Sequence, residues 1–175
     1  MARVLLAAEE EPTSNRVIAR LALEGAGHIV QEVHDGMSVL AAVDAQRPDA
    51  LVLDTALPEL DGFQVLDRMR RHHTLRHMPV VMLSTIPRDV GGELARSMGA
   101  LRFLPKPFTA ADLNEAVETA LEARAAGASQ VAAPLQRSAA RSAAEWRARP
   151  AVPESLGIID LVPPARRRPP RRRAT

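Results

Sequence analysis

Short apolar runs alternate with longer amphipathic segments along most of the chain. The short runs predict β-strands at residues 4–8, 28–33, 50–53, 79–83 and 102–104. Segments in which apolar residues recur three and four positions apart predict helices at about 13–25, 37–46, 61–71 and 88–98, and a fifth helix after Thr109. This strand-then-helix alternation predicts an α/β fold with a parallel sheet and helices on both faces.

Three of the predicted helices carry further local signals. Four apolar residues of the first helix are expected to share its buried side: Val17, Ile18, Leu21 and Ala22. Gly25 is expected to end that helix. The fourth helix contains Gly91 and Gly92 and is predicted to be weak, since a helical glycine costs about 1 kcal/mol relative to alanine. The fifth has Thr109 as its expected N-cap and the clearest apolar stripe, formed by Leu113, Ala116, Val117, Ala120 and Leu121.

Charge divides the chain into two parts. Residues 1–124 contain 13 basic and 18 acidic residues, a net charge of −5, whereas residues 125–175 contain 10 basic and 3 acidic residues, a net +7. The second part is also rich in Ala and Pro and has no strand pattern. We therefore predict a folded domain at 1–124 and a disordered basic tail at 125–175.

Composition narrows the class of protein. The chain of 175 residues has no cysteine, so a disulfide framework and thiolate metal sites are excluded. No apolar run approaches the ~20 residues of a membrane span, and the N-terminus lacks the pattern of a signal peptide. These features predict a cytoplasmic protein without a membrane span.

Polar residues follow four of the predicted strands. Asp54 directly follows the third strand, within the stretch LVLDTALPELDGF. Glu9 and Glu10 follow the first strand, Ser84 ends the fourth, and the fifth leads to Lys106. Because the carboxyl ends of parallel strands meet at one edge of a sheet, these side chains are expected to converge there.

This set of side chains suits phosphoryl chemistry. Crowded carboxylates need a cation to stay ionised together, and oxygen-only ligands favour a hard ion such as Mg²⁺. A carboxylate can act as the nucleophile toward phosphorus, giving an aspartyl phosphate. The only lysine of the chain, Lys106, supplies a single positive charge that suits one phosphoryl group.

Four motifs occur in order along residues 3–124: VLLAAEEEP, LVLDTALPELDGF, PVVMLST and GALRFLPKPF. With these motifs, this part of the chain resembles the receiver domains of two-component response regulators. The resemblance implies a flavodoxin-like sheet in the order 2-1-3-4-5. It also implies that Asp54 is the phosphoacceptor and that Mg²⁺ lies among Glu9, Glu10, Asp54 and the backbone carbonyl of Ala56. In relatives one member of the acidic pair is usually Asp, so the two longer glutamates are expected to hold Mg²⁺ less tightly.

The resemblance also assigns the residues that respond to phosphorylation. Ser84 matches the switch hydroxyl, Phe103 the switch aromatic and Lys106 the lysine that contacts the phosphoryl group. A cis peptide bond between Lys106 and Pro107 is implied as well. Thr85 stands where relatives commonly carry a smaller residue, and it is expected to narrow access to the phosphoacceptor.

The expected function is that of a single-domain response regulator. It would accept phosphate from a histidine kinase or phosphotransfer protein and signal to a downstream protein target, without being an enzyme beyond self-catalysed phosphorylation and dephosphorylation. Two alternatives remain open: a phosphorylation-independent pseudo-receiver scaffold, and a receiver that binds nucleic acid or an acidic partner through the arginines of ARRRPPRRR. Three histidines before the fourth strand, His72, His73 and His77, raise a weaker metal-binding hypothesis.

Overall fold

Ten elements alternate between strand and helix along residues 1–9 and 14–127, the part of the chain that this computed structural model describes. The strands are β1 (Arg3–Ala7), β2 (Ile29–Val33), β3 (Ala50–Asp54), β4 (Val80–Ser84) and β5 (Arg102–Pro105). The helices are α1 (Ser14–Gly25), α2 (Gly36–Gln46), α3 (Gly62–Arg71), α4 (Arg88–Ser97) and α5 (Ala110–Ala125). The predictions for Glu10 and for the chain beyond residue 127 fall outside these residues.

All five strands form one parallel sheet in the order β2-β1-β3-β4-β5, as predicted. The two strands at its centre, β3 and β4, are buried along their whole length, which agrees with their continuous apolar sequences. The edge strand β2 is largely exposed or half-buried, and its sequence IVQEV mixes apolar and polar residues. The sheet therefore carries Asp54 at the end of a central, rigidly held strand.

Successive residues of the central strands point into two separate cores. Leu51 and Leu53 of β3 pack in the cluster beneath α2, α3 and α4. Val52 lies between them in sequence but joins the opposite cluster, beneath α1 and α5. This period of two is inherent to an extended chain, so one short apolar strand supplies both faces of the sheet.

The predicted buried side of α1 is wrong. Three of its four residues are exposed: Val17 at 43%, Ile18 at 38% and Leu21 at 62%. The buried residues are instead Ala19, Ala22 and Leu23. Both sets recur at helical spacing, so the period was predicted correctly and the rotation of the helix was not. Small alanines face inward because α1 packs against α5 as well as against the sheet.

Helices α3 and α5 both begin with a capping box, and the cap of α5 at Thr109 was predicted. Asp61 caps α3 and exchanges hydrogen bonds with Gln64 in a capping box. Thr109 does the same for α5 with Asp112. Four residues of the predicted α5 stripe are buried and Leu121 is partly buried. Helix α4 runs unbroken through its two glycines.

Arg70 joins two loops at the opposite end of the sheet from Asp54. Its buried guanidinium donates hydrogen bonds to the carbonyls of Arg76 at 2.9 Å, Met78 at 3.0 Å and Gly99 at 2.7 Å. Burial lowers the pKa of Arg70 to about 10. The sequence pattern did not identify this residue as structural.

Within the described residues, no helix is both long and apolar enough to cross a bilayer.

Candidate functional site

Three neighbouring strands bring an acid, a hydroxyl and an amine to the same edge of the sheet. Asp54 ends β3 with only 5% of its surface exposed, and its register partner Leu83 precedes Ser84 on β4. Lys106 directly follows β5, and its Nζ donates a hydrogen bond to Asp54 Oδ2. The backbone N–H of Lys106 also donates to the carbonyl of Ser84 at 2.7 Å. The ion pair is therefore held by the sheet on both sides.

The turn after β3 holds the second carboxylate oxygen of Asp54. The backbone N–H of Ala56 donates to Asp54 Oδ1 at 3.0 Å. Gly62, at the start of α3, lies so close to this turn that an added Cβ would be 2.4 Å from the backbone oxygen of Asp54. A glycine is thus required where the chain passes behind the acid. This contact gives the Asp-Gly pair of the motif a structural reason.

Ser84 is fully buried beside the ion pair. Its Oγ accepts a hydrogen bond from Thr55 Oγ1 at 2.9 Å and another from the backbone N–H of Ile86 at 3.1 Å. Thr55 was not among the predicted site residues. Its position directly after Asp54, where β3 ends beside β4, was the available signal. Thr85, which was expected to narrow access to Asp54, is exposed.

Phe103 lies on β5 with its ring against helix α4. It is 8% exposed, and a Cβ added to Gly91 would be 2.6 Å from its Cζ atom. A Cβ on Gly92 would be 3.6 Å from Phe103 Cδ1, an ordinary contact distance. The first glycine of the pair is therefore a packing requirement for the ring, whereas the second is not. The peptide bond between Lys106 and Pro107 is cis.

An open cleft of about 650 Å³ borders the phosphoacceptor turn. Glu9 and Ala56 both line it, together with Asp61 and His34. His34 Nδ1 lies 3.0 Å from the carbonyl of Ala8, which joins the ends of β1 and β2. Burial raises the pKa of Asp61, and the backbone N–H groups of Gln64 and Phe63 partly oppose that shift. The cleft gives a charged ligand a route to the turn that holds Asp54.

The donors at this edge suit Mg²⁺ by their chemistry. Glu9, Asp54 and the carbonyl of Ala56 offer oxygen atoms alone, which is the donor type that Mg²⁺ prefers. Among the described residues, no group of three or more His, Cys, Asp or Glu side chains is placed to hold a metal ion. The three histidines before β4 lie within these residues, so their metal hypothesis gains no support. The predicted fourth donor, Glu10, lies outside the described part of the chain.

Comparisons with known proteins agree with this arrangement. Residues 5–118 match the family of the response regulator receiver domain. The transcriptional regulatory protein TcrA of Mycobacterium tuberculosis is 39% identical over 109 residues, which are 62% of this chain but only 42% of TcrA. The chain thus spans less than half the length of this relative.

Solved structures with the same fold match nearly whole domains. A response regulator from Chloroflexus aurantiacus is 30% identical with a TM-score of 0.62, over 68% of this chain and 97% of that one. The receiver domain of the sensor histidine kinase PA1611 from Pseudomonas aeruginosa is 26% identical with a TM-score of 0.62, over 69% and 98%. That structure holds a magnesium ion coordinated in its active-site cleft.

Proposed function

The chain belongs to the response regulator receiver domain family of two-component systems, and on that basis we propose that it accepts a phosphoryl group on Asp54. The observation that carries the proposal is the ion pair between Asp54 and Lys106 at the carboxyl edge of the sheet. A carboxylate on a central strand, next to a cation and a buried hydroxyl, has the parts needed to form and stabilise an aspartyl phosphate.

In the proposed reaction the Asp54 carboxylate forms a bond to phosphorus while the bond from phosphorus to the donor's leaving group breaks. Lys106 already neutralises Asp54, and its ammonium group would move to the oxygens of the incoming phosphoryl group. Ser84 would turn its hydroxyl hydrogen to the same group, because its Oγ accepts two hydrogen bonds and its own hydrogen remains available. Phe103 would then repack against α4 as Ser84 moves.

We propose that Mg²⁺ is the required cofactor, held by Glu9, Glu10, Asp54 and the carbonyl of Ala56. When bound, the ion would neutralise negative charge on the phosphoryl oxygens. The magnesium ion reported in the PA1611 receiver domain supports this choice. The oxygen-only donor set of this chain supports it independently.

The proposed donor is a histidine kinase or a phosphotransfer protein, and the proposed output is binding to a downstream protein. The protein would then be a substrate of phosphorylation with self-catalysed chemistry, and not an enzyme acting on other molecules. The matched relative TcrA is called a transcriptional regulatory protein, but this chain covers less than half of it. The output is therefore proposed from the receiver domain alone.

Acetyl phosphate with Mg²⁺, followed by intact mass measurement, tests the proposal. The wild-type chain should gain one phosphoryl group, and Asp54→Asn should gain none. Asp49→Asn is the matched control, because it makes the same substitution just before the opposite end of β3 and should leave labelling intact. Labelling should also stop when Mg²⁺ is chelated.

The same experiment distinguishes the proposed function from the scaffold alternative. A pseudo-receiver that works without phosphate would remain unlabelled in every variant, although it stays folded. Equal labelling of wild type and Asp54→Asn would instead show that another residue is the acceptor. Either result would contradict the proposed role of Asp54.

A further inference from the structure

Three arginines line one cleft between α4 and β5, away from the phosphoacceptor turn. Arg88 and Arg96 project from α4, Arg102 lies on β5, and all three side chains are exposed. The cleft measures about 210 Å³, and Gly92 and Phe103 form part of its wall. Three like charges around so small a space repel one another, so a counter-charge is expected to join them.

The cleft arginines differ from the arginines of the domain that form ion pairs. Five arginines lie within salt-bridge distance of carboxylates: Arg16 with Glu32, Arg20 with Glu24, Arg47 with Asp44, Arg71 with Asp67 and Arg124 with Asp49. None of the three cleft arginines has an ion pair with any carboxylate in the described residues. Four other arginines, Arg3, Arg68, Arg70 and Arg76, also form no salt bridge within the described residues. The cleft differs in that it holds three such arginines together.

Helical spacing leaves open the position midway between two of these arginines. Gly92 lies four residues after Arg88 and four before Arg96, so no carboxylate stands at the position that could pair with either one. With no side chain there, the space between them stays open. Glu93 lies three residues before Arg96 but forms no salt bridge with it. Arg88 Nη2 instead makes a long hydrogen bond of 3.4 Å to the carbonyl of Phe103.

Asp112, an acid that interacts electrostatically with Arg88, is already engaged elsewhere. The pKa of Asp112 is lowered mainly by the hydrogen bonds from Thr109, and the positive charge of Arg88 adds a small further effect. Its carboxylate therefore serves the N-terminus of α5. The 125–175 segment, with 10 arginines and 3 acids, has the wrong charge to fill the cleft.

We propose that this cleft binds a phosphate-bearing anion, such as the phosphate or pyrophosphate end of a small molecule. The planar guanidinium group donates two parallel hydrogen bonds to phosphate oxygens, and three such groups match a multiply charged anion better than a single carboxylate. The volume of about 210 Å³ is below the ~300–1,000 Å³ typical of pockets that enclose a whole drug-sized ligand. The cleft therefore receives the charged end of the ligand and leaves its remainder outside.

The test is a titration of the full-length protein with inorganic pyrophosphate, without Mg²⁺, followed by amide NMR shifts. Saturable shifts are expected at Gly92, Arg102 and Phe103. Shifts confined to Asp54 and Lys106, or none that saturate at the cleft, would overturn the proposal. Because the readout is specific to each residue, binding to arginines beyond residue 127 does not imitate the expected result.

Gly92→Glu is the decisive variant, because it places a carboxylate between Arg88 and Arg96. An added Cβ at this position meets Arg88 Cγ at 3.4 Å and Phe103 Cδ1 at 3.6 Å, so the variant should fold. Binding should weaken by about tenfold or more, as it should in Arg96→Gln. Gly92→Ala and Arg68→Gln are the matched controls and should retain binding, since the first adds no charge and the second removes an exposed charge on α3.

Two further probes identify whether the cleft binds a phosphate group or an acidic peptide. Adenosine monophosphate should shift the same three amides, because it presents a phosphate end with its remainder outside. A hexaglutamate peptide should bind more weakly than pyrophosphate. If the peptide saturates the cleft and the two phosphate probes do not, the site is an acidic-protein surface and the proposal is wrong. Unchanged pyrophosphate binding in Gly92→Glu would contradict it equally.

Discussion

Replacing each of the two adjacent glycines of α4 by alanine should have different effects on stability, since Gly92→Ala should stabilise the protein and Gly91→Ala should not. Both substitutions remove the same entropic cost, since a glycine inside a helix is about 0.5–1 kcal/mol less favourable than alanine. They differ only in what the new methyl group meets. At Gly92 its nearest neighbour is 3.4 Å away, whereas at Gly91 it would be 2.6 Å from Phe103 Cζ and 3.1 Å from Ile86 Cγ2.

The magnitude follows from these distances. Gly92→Ala should raise the free energy of unfolding by about 0.5–1 kcal/mol, because it gains helix propensity without a clash. Gly91→Ala gains the same amount but overpacks a buried ring, at a typical cost of about 1–3 kcal/mol. The net effect at Gly91 is then between neutral and about 2.5 kcal/mol of destabilisation. The two variants should differ by about 1–3 kcal/mol.

Urea unfolding of the full-length protein measures this difference, provided that the m-value stays constant between variants. A double-mutant cycle identifies its cause. In a Phe103→Ala background the ring is gone, so Gly91→Ala should lose most of its cost and retain only the tight contact 3.1 Å from Ile86 Cγ2. If Gly91→Ala is at least as stable as Gly92→Ala in the wild-type background, the steric argument fails. If its full cost persists without the ring, the contact with Phe103 is not the reason.

Three further predictions concern groups that the fold brings together. Arg70→Met should lower the free energy of unfolding by about 2–4 kcal/mol, because three carbonyls lose a charged donor. The exposed control Arg71→Met should cost less than about 1 kcal/mol, as urea unfolding of both variants would show. Burial raises the pKa of Asp61 above 3.8, so the folded state binds a proton there more readily than the unfolded state does. The wild type should therefore gain stability relative to Asp61→Asn as pH falls from 7 through that raised pKa. Thr55→Val should cost about 1 kcal/mol in wild type and less in a Ser84→Ala background, as a double-mutant cycle would show; equal costs would mean that the two hydroxyls are not coupled.

The sequence alone determined the fold class and the location of the candidate site. Strand and helix have different periods, so short apolar runs and amphipathic segments are distinguishable locally. The cap at Thr109 depends on a neighbour three residues away and was visible for the same reason. Once the strands were known to be parallel, their carboxyl ends had to meet at one edge. Asp54, Ser84 and Lys106 were therefore expected together from the sequence.

Only the tertiary structure decided which faces of the elements meet. The two stripes of α1 have the same spacing, and the choice between them depends on how closely the helix approaches α5. The bond from Thr55 to Ser84 requires the register of β3 against β4, and the hydrogen bonds of Arg70 require two loops that are distant in sequence. The contact between Gly91 and Phe103 likewise arises where α4 crosses β5. Periodicity describes one segment at a time, whereas these contacts depend on the relative rotation and separation of two packed segments.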